Sequence, residues 1–371
     1  MIQQNTAIKL FENCIPVKGY CRSIIYDLQR SNYDFVPNDV VEFINQYDKT
    51  EISKILETDD SFFTEKQEYL DYLLQKEYLF KCEANQIGLF PQMDLAWKSS
   101  SLITNAVLGY DKDLFQLDKT LEELEYLGCR HILVVSEKVL SEDEIQDFLN
   151  QLIKFSFLSV QIITKYSDKI CQSKLEKICS QYHNIQNIVF FDSNLEETKN
   201  VKSNILFFFQ DNFPFIPVID LSYFVVGVYS FTEAQKHNIY FNRKVFIDFN
   251  GDIKNSLNAN KVFGNIRTNS IINSINNEDF QDIWYNAKDN TDICKSCEFR
   301  YMCIDGRVPT QRKDNNWYHT TECNYNPYIA KWAGEEDYLS LAECGIISNE
   351  EGFSIDEEKV NLIVQELYGD E

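Results

Sequence analysis

The 371-residue sequence predicts an α/β protein in three parts, over residues 1–90, 91–240 and 241–371. Three observations carry this. Two strand patterns followed by amphipathic helices open the chain. From about residue 100, apolar strand runs alternate with amphipathic helices. A cysteine cluster, CKSCEFRYMC at 294–303, follows the last of these units.

In the first part, YCRSIIYDLQR (20–30) and SNYDFV (31–36) read as strands around a polar turn at Arg30–Asn32. Pro37-Asn38-Asp39 then opens a helix whose apolar face is Val40, Val41, Phe43 and Ile44. A second helix over 65–80 sets Tyr69, Leu70, Leu73, Leu74 and Tyr78 at i, i+3, i+4 spacing. A strand pair with helices is the composition of a small winged-helix-like module, ending near Gly88–Pro91.

In the second part the strand candidates are Leu102–Leu108, His131–Val135, Ser159–Thr164, Ile188–Phe191, Ile205–Phe209 and Pro217–Asp220. Between the earlier ones lie the helices LDKTLEELEYLG (117–128) and SEDEIQDFLNQLIKF (141–155). The latter carries a capping box, Ser141 with Glu144. Repeated strand–helix units imply parallel strands joined by right-handed crossovers. The length suffices for a partial β/α barrel rather than a closed eight-unit one. The run LFFFQDNFPFIP (206–217) reads as a buried strand and its exit loop. After residue 240, the FNGD turn (249–252) reads as a hairpin, followed by a helix ending at Trp284.

Charge and composition exclude several classes of function. With 58 acidic against 35 basic residues, the net charge of −23 disfavours nucleic acid and anionic membranes as partners. No window holds eighteen uninterrupted apolar residues, and the N-terminus lacks a basic stretch followed by an apolar run, so a soluble, cytoplasmic protein is expected. Motifs for a serine hydrolase, a phosphate-binding loop or a dinucleotide fold are absent. Eleven irregularly spaced cysteines point to reduced thiols or metal ligands rather than a disulfide framework.

Cys294 and Cys297 form a C-x2-C pair, whose turn aims both sulfurs at one centre; Cys303 and Cys323 complete four. Four thiolates fill a tetrahedral zinc shell or the corners of one [4Fe–4S] cluster, and spacing alone leaves both open. Thiolates favour soft metals over magnesium or calcium. Buried structural thiols are the plainer alternative. The histidines, His131, His183, His237 and His319, show no metal-binding spacing; His319, in WYHTTEC, is near enough to Cys323 to be an alternative ligand.

The stretch from Asp248 to Cys323 resembles the SPASM domain, the auxiliary-cluster module that follows the barrel in many radical S-adenosylmethionine peptide-modifying enzymes. IDFNGDIKNS, FGNI (263–266), C-x2-C-x5-C and Cys323 carry the likeness. It implies that Cys294, Cys297, Cys303 and Cys323 hold the second auxiliary [4Fe–4S] cluster, with zinc as the alternative. The first auxiliary cluster has lost its ligands: Arg307 stands at one cysteine position, and Asn255 and Ser256 where another is expected. Radical enzymes of this kind also need C-x3-C-x2-C after the first barrel strand. Here SLITNAVL is followed by GYDKDLFQLDK, with no cysteine between Cys82 and Cys129. The loop after His131–Val135, SEKVLSE, lacks the glycine pair that receives the cofactor's amino group. Neither S-adenosylmethionine nor radical catalysis is therefore expected.

Together with CIPVKGYCRSIIYDLQRSNYDFVPNDV (14–40), this set resembles the SPASM proteins of grasp-with-SPASM peptide-maturation systems, encoded beside an ATP-grasp peptide ligase and a short precursor. The resemblance implies a non-catalytic partner in the biosynthesis of ribosomally made, post-translationally modified peptides. It would bind the leader peptide and the ligase. Strand Tyr20–Leu28 and the helix from Asp39 would form the leader groove by strand addition. The alternatives are a redox or peptide-modifying enzyme that uses the remaining cluster, and a zinc-clipped adaptor.

Overall fold

The chain opens with β1 (Thr6–Leu10), β2 (Cys14–Lys18), β3 (Ser23–Asp27), β4 (Asn32–Val36), α1 (Asn38–Tyr47), α2 (Ile52–Ile55), α3 (Phe63–Gln75) and β5 (Leu79–Glu83). The structure, a computed structural model, describes residues 5–57, 62–110, 116–201, 204–208, 219, 221, 224–257 and 259–369. Its contacts gather into two units, one drawn from residues 1–97, 218–239 and 286–371, the other from 98–217 and 240–285. The stretch 248–323 is thus divided between them.

In the first unit β2, β3 and β4 form an antiparallel meander, and β1 pairs with β5. The two strands expected over 20–36 are present; the third, β2, escaped the sequence reading because it contains Pro16. A proline is tolerated in an edge strand, where its missing N–H removes no ladder bond. All five residues of β3 are buried. Alternation splits them between two cores. Ile25 packs with Val36, α1 and α3. Ile24 and Tyr26 pack with Phe231, Phe299, Met302 and Tyr325.

The pairing corrects the expected peptide groove. β3 is bonded on both sides, to β2 and to β4, so it has no edge to offer an added strand. Among the described residues, the edges this meander leaves unpaired are those of β2 and β4. Helix α3 also stops earlier than its pattern suggested, because Glu77 turns to φ 58° and the chain enters β5. Tyr78 lies beyond the helix, donating from its hydroxyl to Asp34 Oδ2 at 2.8 Å.

The second unit is an α/β layer made of β6 (Asn105–Gly109), α4 (Leu117–Tyr126), β7 (His131–Ser136), α5 (Glu142–Leu152), β8 (Ser159–Lys165), α6 (Gln172–Gln181), β9 (Ile185–Phe191), β10 (Glu197–Val201), β11 (Asn204–Phe208), β12 (Lys244–Ile247), β13 (Asp252–Lys254) and β14 (Gly264–Asn265). The sheet order is β10-β11-β9-β8-β7-β6-β12-β13-β14. From β11 to β12 the strands are parallel, and β10, β13 and β14 are antiparallel additions at the ends. Among the described residues the sheet is open.

Local chemistry explains the elements that position this sheet. Ser141 caps α5 as its sequence predicts: its hydroxyl accepts from the Glu144 N–H, and the Glu144 carboxylate accepts from the Ser141 N–H at 2.9 Å. The FNGD hairpin joins β12 to β13, with Gly251 at φ +83°, a conformation that suits glycine. Strand β12 also pairs in parallel with β6. Its Val245, Phe246 and Ile247 are all buried, as in a strand covered on both faces. The helix expected up to Trp284 is two short ones, Ile271–Ile275 and Glu278–Gln281, because the Asn277 side chain caps a fresh start on the Asp279 N–H. The polar β10 carried no apolar signal. Phe209, the strand expected at Pro217–Asp220 apart from Ile219, and most of the aromatic run fall outside the described residues. No helix among the described residues is long and apolar enough to cross a membrane.

Candidate metal centre

The cysteine segment contains little regular structure, so side chains fix it. Asp292 is its first anchor. Its N–H donates to the Trp317 carbonyl at 2.8 Å, and its buried carboxylate pairs with Arg312 and with Lys295 at 3.0 Å. Arg312 reaches on to the Gly352 carbonyl at 3.1 Å, tying in the hairpin of Ile346–Ser348 with Phe353–Ile355. The Cys294 N–H folds back onto the Asp292 carbonyl at 2.7 Å, across Ile293 at φ 65°, ψ −54°. This is a γ-turn of the strained, positive-φ kind, here on a β-branched residue, and costs about 1–3 kcal/mol. Its surroundings must hold it in place.

The next anchors come from β2 and β3. The Tyr20 N–H donates to the Ser296 carbonyl at 2.8 Å, and Arg300 donates to the Lys18 carbonyl at 2.8 Å. Tyr26 donates its buried hydroxyl to the Glu298 carbonyl at 3.1 Å. The Glu298 carboxylate is fully buried and takes Arg22 Nε at 2.8 Å and the Tyr325 hydroxyl. Burial still pushes this carboxyl above its ordinary range, against the pull of Arg22 and Tyr325. Phe299 completes the joint, its ring 5.8 Å from that of Phe35 on β4.

These anchors bring Cys294, Cys297, Cys303 and Cys323 onto one cavity of about 80 Å³. Burial raises the thiols of Cys297, Cys303 and Cys323, and the charge of neighbouring quartet members raises them further. Thiols raised in this way ionise together more readily with a further cation among them. A soft metal supplies that charge and releases the protons. The other cysteines differ. Cys14 and Cys129 are pushed up to about 12 by burial, with no thiol cluster around them.

A charged shell surrounds the quartet. Lys288 lies 3.4 Å from Asp305, and Arg307 clasps the same carboxylate at 2.7 and 3.1 Å while donating to the Thr321 carbonyl. Asp305 is almost fully buried and its carboxyl lies far below its ordinary range: Lys288 and then Arg307 outweigh the cost of burial. Four thiolates around either Zn²⁺ or a [4Fe–4S]²⁺ core carry a formal charge of about −2, which the cations of this shell partly offset. The donor set therefore fits a metal group.

His319 lines the same cavity. Burial draws its imidazole down to about 3, its Nε2 is 3.5 Å from Asp305 Oδ2, and its buried Nδ1 has no hydrogen-bond partner. Donor atoms of Cys294, Asp305 and His319 lie within 4.8 Å of one another. Among the described residues no three of the quartet sulfurs gather within that span. Sulfurs around a single tetrahedral zinc would sit about 3.8 Å apart.

The sequence reading named all four cysteines and His319. It missed Lys288 and Asp305, which nothing distinguishes among 35 basic and 58 acidic residues. Arg307 was visible only as the residue standing where a cysteine was expected; its guanidinium lies in the cavity wall. The other histidines are elsewhere: His131 Nδ1 is 2.8 Å from the Ser159 hydroxyl, His237 is beside the Glu233 carbonyl, and His183 is exposed.

No family model matches the sequence, and no curated protein matches it. Solved structures similar to the chain include SuiB of Streptococcus suis, and the same protein bound to S-adenosylmethionine. Their identities are 12% and 10%. The alignments cover 80% and 81% of this chain and 95% of each SuiB chain, with TM-scores of 0.31. Likeness at that level decides nothing about the site.

Proposed function

We propose that this chain is a non-radical partner in the maturation of a ribosomally made peptide, with one [4Fe–4S] cluster held by Cys294, Cys297, Cys303 and Cys323. One observation carries the reading: the four thiols share a cavity, while the segment after β6, from Tyr110 to Gln116, contains no cysteine. Sulfurs spread more widely than the ligands of one zinc ion favour the four corners of a cube. When bound, the cluster supplies a cross-link between loops that contain little regular structure. The tight trio of Cys294, Asp305 and His319 favours a second reading, a zinc-clipped adaptor.

The chain's own residues do the remaining work. Asp292, Arg312 and the β2–β3 turn hold the ligand loop in register, and Lys288 and Arg307 offset its charge. The leader peptide would add to the free edge of β4, which carries half-exposed Phe35 and is tied to α3's C-terminal turn by the Lys76–Asp34 ion pair at 2.8 Å. Main-chain bonds along that edge give affinity, and side-chain pockets give selectivity. The ATP-grasp ligase is the second partner in this reading, in the cytoplasm, with no nucleic acid or membrane involved.

Deleting residues 1–90 is a poor test, because β3 is part of the core that seats Phe299 and Met302. Hydrogen exchange on the intact chain is better. Adding the leader segment of the neighbouring precursor should slow exchange at residues 32–36 at least tenfold. Binding without protection there, or no binding, would count against the reading.

A further inference from the structure

We propose that His319 and Cys294 address the same metal atom, so that the imidazole is a reserve ligand for that corner of the cluster. This rests on the reading of the quartet as one metal site. Two donors within 4.8 Å of each other suit one metal atom, whereas ligand atoms on different irons of a four-iron cube lie farther apart. His319 therefore shares Cys294's corner and does not add a fifth one.

The state of the ring supports a ligand role. His319 lines the cavity, and its buried Nδ1 makes no hydrogen bond of good geometry, an unfavourable state for a polar atom. Nε2 faces Asp305 at 3.5 Å. Metal-binding histidines usually give their second ring N–H to a carboxylate, which fixes the tautomer and leaves the other nitrogen's lone pair free. Asp305 is placed for that duty and is poorly placed to ligate. Arg307 holds both its oxygens and Lys288 one of them. The Asp305–His319 pair thus holds an imidazole with a donor nitrogen within 4.8 Å of the Cys294 sulfur.

The test is the iron and sulfide content of anaerobically reconstituted variants, with pulsed EPR of the reduced cluster. Cys294→Ala should keep more than half of the wild-type iron and sulfide and show a nitrogen hyperfine coupling. Cys294→Ala with His319→Ala should fall at least tenfold, to the level of Cys303→Ala. If Cys294→Ala falls as far as Cys303→Ala, through loss of the cluster or of the fold, the reserve role is overturned. Retention without nitrogen coupling overturns it too. Wild-type protein that takes up no metal sinks the site itself, a separate and recognisable failure.

Discussion

Cys303→Ala should lower bound metal to less than a tenth of the wild-type amount and destabilise the unit that holds it by about 5 kcal/mol or more. The figure follows from the apparent metal-binding energies of structural thiolate sites, roughly 10–16 kcal/mol for zinc, part of which a three-ligand site would retain. The β-pairings of the surrounding loops are only two or three residues long, such as Thr310–Gln311 with Trp317–Tyr318. Beyond their side-chain anchors, such loops have little regular pairing to brace the site. Cys129→Ala is the control: this thiol is buried in the sheet unit's core, and its loss should cost about 1–2 kcal/mol with no change in metal. Metal analysis and urea midpoints check both. A Cys303→Ala protein with wild-type metal and midpoint would contradict the site.

Arg312→Ala should cost about 3–5 kcal/mol, the loss typical when one partner of a buried ion pair is removed. Arg312 and Asp292 are 4% and 3% exposed, so the carboxylate left behind has little access to water. The same change unclamps the strained turn at Ile293, and Cys294 should drift from the cavity. Metal content should therefore fall together with the urea midpoint. A variant with an unchanged midpoint would show that the pair is not holding this loop.

Local patterns made some of this legible in the sequence. The C-x2-C pair and the capping box of Ser141 with Glu144 act within a single turn, and the parallel strands announce themselves by buried apolar runs. What stayed hidden depends on distant partners. Pro16 disguised β2, because only its position at a sheet edge makes a proline harmless. The FNGD hairpin was visible, but not the pairing of β12 with β6, which joins residues far apart in the chain. Likewise, nothing in chain order shows that residues 286–371 pack in the same unit as residues 1–97. That union rests on contacts such as Tyr26 to Glu298, which no short window contains. The positive φ of Ile293 had no signal at all, since β-branched residues ordinarily avoid it.

The most direct measurement is the metal and acid-labile sulfide content of the intact chain isolated without oxygen. Shared ligation by Cys294, Cys297, Cys303 and Cys323 predicts about four irons and four sulfides per chain, with those four thiols shielded from alkylation. A protein free of iron, zinc and sulfide, whose four thiols alkylate as readily as exposed Cys171, would contradict it.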